Sequence, residues 1–218
     1  MLNDVEARVV GSLAEKQVTT PDYYPLTLNA LVHACNQISN REPVVNYDER
    51  TVADAVESLR AKNIVYIFYG AESRVPKYKH MMREMFALSP QELAAMCVLM
   101  LRGSQTVGEV RGRTGRLYDF ADLSEVEATL EGLANRDEPL IAKIPRQPGR
   151  KEARYAHLLA GAPAVEESSA EGANATHARD HSARERRRAC RAARSGGRTL
   201  ARRACRVAPT VRRVPQAV

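Results

Sequence analysis

The sequence predicts an α+β, mainly helical protein in which one unit of three helices and a β-hairpin occurs twice, followed by a disordered tail. Three observations predict it. Hydrophobic spacing gives the order helix, helix, helix, hairpin over residues 1–86 and again over 87–160. Two short matches fall in the same slots of both copies: Val56-Glu57-x-Leu59 answers Leu130-Glu131-x-Leu133, and Lys77-Tyr78-x-His80-Met81 answers Arg154-Tyr155-x-His157-Leu158. The composition then breaks near residue 160, since all 8 Tyr and 3 Phe lie before it.

The first helix opens at Asn3-Asp4-Val5-Glu6, an Asn cap with Glu three positions on, and Val5, Val9, Val10 and Leu13 carry it to an expected end near Lys16. Thr19-Thr20-Pro21 and Pro25 bracket a loop. A second helix is expected from about Leu26, with Leu28, Leu31, Val32 and Cys35 on one face, broken by Asn36, Asn40 and Pro43. A third follows Asp48 to about Lys62, on a Val52, Val56, Leu59 stripe. Ile64–Phe68 is β-branched and aromatic, as a strand should be, and a turn at Gly70 leads to a second strand around Val75–Met81.

Ser89-Pro90-Gln91-Glu92 then starts the second copy as a capping box with Pro at the first helical position. Leu93, Met96, Cys97, Met100 and Leu101 mark its first helix. Thr106–Arg113 is a short second helix, and Asp122–Asn135 a third with Val126, Leu130 and Leu133 inward. Leu140–Ile144, a Gln147-Pro148-Gly149 turn and Ala153–Leu159 form the closing hairpin. Three helices closed by a hairpin make a winged helix, a relative of helix-turn-helix. The expected domains are winged helices over 1–86 and 87–160, each small enough to gain from a shared interface.

Net charge is +7, but its distribution matters more. Residues 161–218 hold 13 Arg against 5 acidic residues, which leaves 20 basic and 21 acidic groups in the folded part. With one Leu and no aromatic residue, the tail cannot bury enough apolar surface to offset its ordering entropy. No run of about 18 apolar residues suggests a membrane span. The N-terminus lacks the basic-then-apolar pattern of a secretory signal, so a cytoplasmic protein is expected.

Glu15-Lys16, Thr19-Thr20-Pro21, Tyr24-Pro25-Leu26 and above all Ala34-Cys35-Asn36-Gln37 with Asn40-Arg41-x-Pro43 carry a resemblance. Arg74-Val75, Lys77-Tyr78-x-His80 and Phe120-Ala121-Asp122-Leu123 add to it. Over roughly residues 2–160 the chain resembles the YceH-like family of uncharacterised bacterial proteins. The resemblance implies tandem winged helices and brings no activity with it. Two features depart from the family's pattern: Ile38 stands where a basic residue is expected, and the tail replaces an acidic, Leu-containing helical segment. We hypothesise out-of-frame translation of a GC-rich end from about Gly172, motivated by the abrupt loss of Lys, aromatics and Leu. Absence of Leu/Glu heptads in the other two frames of the gene would remove that idea.

No catalytic constellation emerges, and the expectation is a protein without enzymatic activity, cofactor or metal. Cys35, Cys97, Cys190 and Cys205 lack ligand spacing, and His177 and His181 share no dependable helix. His80 and His157 occupy equivalent positions, which favours packing or hydrogen bonding over catalysis. Phosphate-loop motifs are absent. Gly112-Arg113-Thr114-Gly115-Arg116 reads equally as a phosphate contact or a solvated turn.

DNA is the first expected partner. Arg50 and Thr51 on the third helix, Arg74, Lys77 and Lys79 on the first wing, Arg111 and Arg113 before the last helix, and Arg150 and Lys151 on the second wing are the candidate contacts. Charge argues partly against it. Asp48–Asn63 carries four acids and three bases, and Asp122–Asp137 five acids and one base; a helix as acidic as the latter repels a duplex. The alternative is a protein-interaction module, as tandem winged helices form in chromosome-segregation complexes. A homodimer fits either reading, and a membrane fits neither.

Overall fold

The computed structural model describes residues 1–69, 75–146 and 152–161, which belong to one compact unit, Met1–Val165. The expected turns at Gly70 and Gln147-Pro148-Gly149 lie outside the described residues, as do Arg74, Arg150, Lys151 and the tail.

The first helix, α1 (Asp4–Thr19), starts at the predicted box: the Asn3 side chain accepts from Glu6 N, and the Glu6 carboxylate accepts from Asn3 N. It outruns Lys16 because the Thr19 and Thr20 hydroxyls donate to the Glu15 and Lys16 carbonyls at 2.9 and 3.2 Å. Those bonds satisfy last-turn acceptors until Pro21 ends the helix. The expected start of the second helix is instead strand β1 (Leu26–Thr27). Thr27 is extended because it caps α2 (Leu28–Cys35), its hydroxyl accepting from Ala30 N.

Asp48 caps α3 (Glu49–Ala61), which buries Val52, Val56 and Leu59, the predicted stripe. β2 (Val65–Phe68) and β3 (Lys77–His80) are antiparallel, and β1 joins the far edge of β3 to give the order β1-β3-β2. A one-turn helix that the sequence pattern did not suggest, α4 (Met82–Met85), follows. The Ser89–Glu92 box then starts α5 (Pro90–Arg102), and a Thr106–Glu109 box starts α6 (Val107–Thr114). Helix α7 (Leu123–Ala134) leads to the antiparallel pair β4 (Ile141–Ile144) and β5 (Arg154–His157).

The second half repeats the order of the first. Leu26, just before α2, pairs with Tyr78; Gln105, just before α6, bridges Tyr155. Val126, Leu130 and Leu133 are as buried on α7 as Val52, Val56 and Leu59 are on α3. One hydrophobic core runs through both halves, with Leu13, Leu31 and Leu59 in the same cluster as Met96, Leu99 and Leu130.

At its centre α1 is buried from Glu6 to Glu15 and packs against α2, α3 and α5. Helix α5 passes so close that a Cβ on Gly11 would lie 3.0 Å from Leu101 Cδ2 and 3.2 Å from Met100 Cβ. The Cys97 thiol donates to the Gly11 carbonyl at 3.4 Å along the same seam. The first and last described segments meet too: Leu2 N donates to Leu159 O at 2.7 Å.

His80 ties β3 to α1. Its Nε2 meets Gln17 Oε1 at 2.6 Å, and its Nδ1 accepts from Met82 N at 3.3 Å. That acceptor role requires a neutral ring. Burial pushes its pKa down to about 4 from 6.5, with Glu84 opposing and Lys79 assisting. Unfolded chain therefore binds the proton more tightly, and stability present above pH 6.5 is lost as pH falls towards 4. Between pH 7 and pH 5 this amounts to roughly 2 kcal/mol. Urea unfolding at the two pH values should show that loss, and His80→Gln should remove most of it. An undiminished loss in the variant would place the sensitivity elsewhere, first at His157, which burial also shifts downward.

Candidate nucleic-acid interface

The candidate contacts of the first half lie on helix α3, where Glu49, Asp54 and Glu57 accompany Arg50 and Arg60, and on the β2–β3 hairpin. Arg50 stands in the first turn of α3 with its side chain 90% exposed, and Asp54 lies one turn on at the 4.0 Å limit of an ion pair. Thr51 is committed to the helix start: its amide donates to Asp48 Oδ1 at 2.7 Å. The Thr51 hydroxyl and amide hold the Asp48 carboxyl below its usual range. Thr51 thus fixes where Arg50 begins its turn and has little left to offer a ligand.

Alternation along the strands sorts the hairpin into two faces. Val65, Tyr78 and His80 are buried, while Tyr66 and Phe68 are exposed and Lys77 and Lys79 half-buried. The register pairs Tyr66 with Lys79 and Phe68 with Lys77. Two aromatic rings and two ammonium groups therefore share one face. Neither lysine has an ion-pair partner among the described residues. The aromatic half of this surface was hidden in the sequence, where Ile64–Phe68 reads as a strand without a face. Strict alternation against Val65 and Ile67 was the available signal.

In the second half, the predicted basic cluster is engaged within the molecule. Arg111 Nη2 donates to the Ala121 carbonyl at 2.9 Å. Arg113 donates to Gln105 Oε1 and lies 3.7 Å from Glu109, whose other oxygen is 2.6 Å from Arg154. Arg116 reaches Glu15 at 3.1 Å. These guanidiniums brace α6 and its flanks. Outward on α7, Glu127, Glu131 and Leu123 are exposed. A groove of about 350 Å³ opens beside it, lined by Val107, Leu123, Glu127, Lys143, Glu152 and Tyr155.

In the Cys35–Pro43 stretch Cys35 and Arg41 are buried and act as a brace, while Ile38, Ser39, Glu42 and Pro43 are exposed. Asn36 bonds both ways with the Tyr47 backbone, each contact at 2.8 Å. Asn40, at φ 60°, accepts from Arg102 Nη2 at 3.0 Å. Arg41 turns inward, donates to the Ala34 and Asn40 carbonyls, and meets Glu15 Oε2 at 2.6 Å. The Pro43 carbonyl accepts from buried Arg8 at 2.7 Å. Cys35 lies beneath, its thiol pushed up to about 11 by burial. Gln37 is half-buried and Ile38 exposed at the outer bend. Among the described residues no cluster of His, Cys, Asp and Glu has the make-up of a metal site, and no helix is long and apolar enough to cross a membrane.

A family model described as a protein of unknown function, DUF480, matches residues 2–150. A UPF0502 protein of Opitutus terrae is 54% identical over 174 residues, covering 79% of this chain and 75% of its own length. Another, of Citrifermentans bemidjiense, is 55% identical over 78% of this chain and 79% of its own. A third, of Solibacter usitatus, is 57% identical over 78% and 81% respectively.

Proposed function

Because the chain belongs to the DUF480 family, whose description assigns no activity, we propose from its own surface that it is a non-enzymatic, duplex-DNA-binding protein of two winged helices. The order helix, helix, helix, hairpin occurs twice, and in each copy the stretch before the second helix pairs with the returning strand of the hairpin, as strand β1 in the first and as a single bridge at Gln105 in the second. In that architecture the third helix enters the major groove and the wing follows the backbone.

The observation that carries the reading is the contrast between the copies. Helix α3 offers an exposed Arg50, with Asp54 4.0 Å away, and the hairpin after it carries two lysines without an ion-pair partner among the described residues, whereas the exposed charges of α7 are carboxylates. The first copy is the reader, and the second is its support. Lys77 and Lys79 neutralise phosphates, and Arg50 addresses a guanine edge, a contact of about 1–3 kcal/mol in discrimination.

Any assay must separate this from the tail, whose 13 Arg attract nucleic acid without sequence preference. Residues 1–165 and the full chain are titrated against random duplexes by fluorescence anisotropy at about 50 and 200 mM salt, and the retained DNA is sequenced. The shorter form should enrich a motif. Arg50→Ala should then weaken the selected site by roughly 5- to 100-fold and relax one base position. An unchanged motif and affinity in that variant would remove α3 as the reader.

A protein-interaction module is the second reading, favoured by the acidic, Leu123-bearing face of α7 and its groove. Its partner would present an apolar side chain flanked by basic ones. Binding of DNA by the full chain alone, with none by residues 1–165, would put this reading first.

A further inference from the structure

We propose that the solvent face of the β2–β3 hairpin binds unpaired DNA bases, so that the preferred substrate is a duplex adjoining a single-stranded segment. This rests on the DNA-binding reading and specifies the state of the DNA. Tyr66 and Phe68 are each 49% exposed on one side of β2, and the register sets Lys79 and Lys77 directly across from them.

Residues directly opposite on one face of an antiparallel pair have Cβ atoms about 5 Å apart, and residues two apart on a strand are separated by about 7 Å. Four groups of two chemistries thus occupy a patch the size of a dinucleotide. The lysines supply the charge that a phosphate backbone complements. The rings supply what a duplex does not use, because paired bases bury their faces in the stack. Unpaired bases expose those faces, and every base has one. A wing intended only for duplex phosphates needs the lysines, whereas two half-exposed aromatic rings cost solvation in the free protein. The underside of the same strands, Val65, Tyr78 and His80, is already buried in the core, so the rings are not waiting to pack inward.

The test uses the full chain throughout, so that the tail's contribution is common to every protein compared. Three probes share one duplex: blunt, with a DNA single-stranded extension, and with an RNA extension; 2-aminopurine in the extension reports stacking by quenching. Wild type should bind the DNA-tailed form on the order of 10-fold more tightly than the blunt form and quench its fluorescence. Tyr66→Leu/Phe68→Leu keeps an apolar strand without aromatic faces. It should erase the preference and the quenching and leave blunt-duplex affinity within about twofold. Equal binding of blunt and tailed DNA, with no effect of that variant, overturns the inference and leaves the duplex reading standing. If Arg50→Ala and Lys77→Glu/Lys79→Glu also leave all affinities unchanged, the duplex reading falls with it. A preference of 10-fold or more for the RNA extension overturns the assignment to DNA. Circular dichroism of each variant matching wild type excludes misfolding as the cause.

Discussion

Glu15→Ala should lower the unfolding free energy by roughly 3–5 kcal/mol, seen as a large fall in the urea midpoint followed by circular dichroism. Glu15 is 2% exposed near the C-terminal end of α1. Its two oxygens are divided between Arg41, at 2.6 Å with a fully buried side chain, and Arg116, at 3.1 Å and 55% exposed. Without the carboxylate, Arg116 returns to water at little cost. Arg41 has no such route. Its carbonyl partners Ala34 and Asn40 remain, but the counter-charge is gone, and a buried unpaired cation is among the most expensive defects a core can hold. Glu15→Leu combined with Arg41→Met should recover most of the loss, because it removes both charges together. A loss below about 1 kcal/mol in Glu15→Ala would mean that water reaches Arg41.

Gly11→Val should destabilise by about 3 kcal/mol, the upper end of the usual range for an overpacked core. A Cβ alone would sit 3.0 Å from Leu101 Cδ2, 3.1 Å from Leu101 Cγ and 3.2 Å from Met100 Cβ, and valine adds two methyl groups beyond it. Gly11→Ala should cost less, since the end of the Leu101 side chain has only a few tenths of an ångström to give. It also gains helix propensity of up to about 1 kcal/mol. Thermal melts of the three proteins check the ordering. A Val variant as stable as wild type would show that α1 and α5 separate readily.

Much of the fold was legible because much of it is local. The capping pairs Asn3–Glu6 and Ser89–Glu92 declare their helices within four residues, and Val52, Val56 and Leu59 recur at helical spacing. Strand β1 was not legible, because its existence depends on Tyr78, far along the chain. Arg41 was read as part of a loop motif, since charged loop residues are usually solvated; only the distant Glu15 makes its burial affordable. The site divides in the same way. Lys77 and Lys79 announce themselves by charge, but the face they share with Tyr66 and Phe68 follows from register. Arg111, Arg113 and Arg116 looked like an open basic patch; Arg111 and Arg116 are held by Ala121 and Glu15, which no helical spacing reveals, whereas Arg113 lies one turn from Glu109, a pairing the spacing did offer.

The bond from Leu2 to Leu159 carries a consequence for how such a protein could be encoded. The first and last described segments lie side by side, with Gly161 near the Met1 sulfur and the Met1 carbonyl held by Lys62. A short bridge between residues 161 and 1 would close the backbone into a ring. A ring has no privileged starting point, so a chain opened in the turn between Phe86 and Ser89 would present the later copy first while preserving every contact across the α1–α5 seam. The packing of the two halves across the α1–α5 seam therefore does not require that either be encoded first.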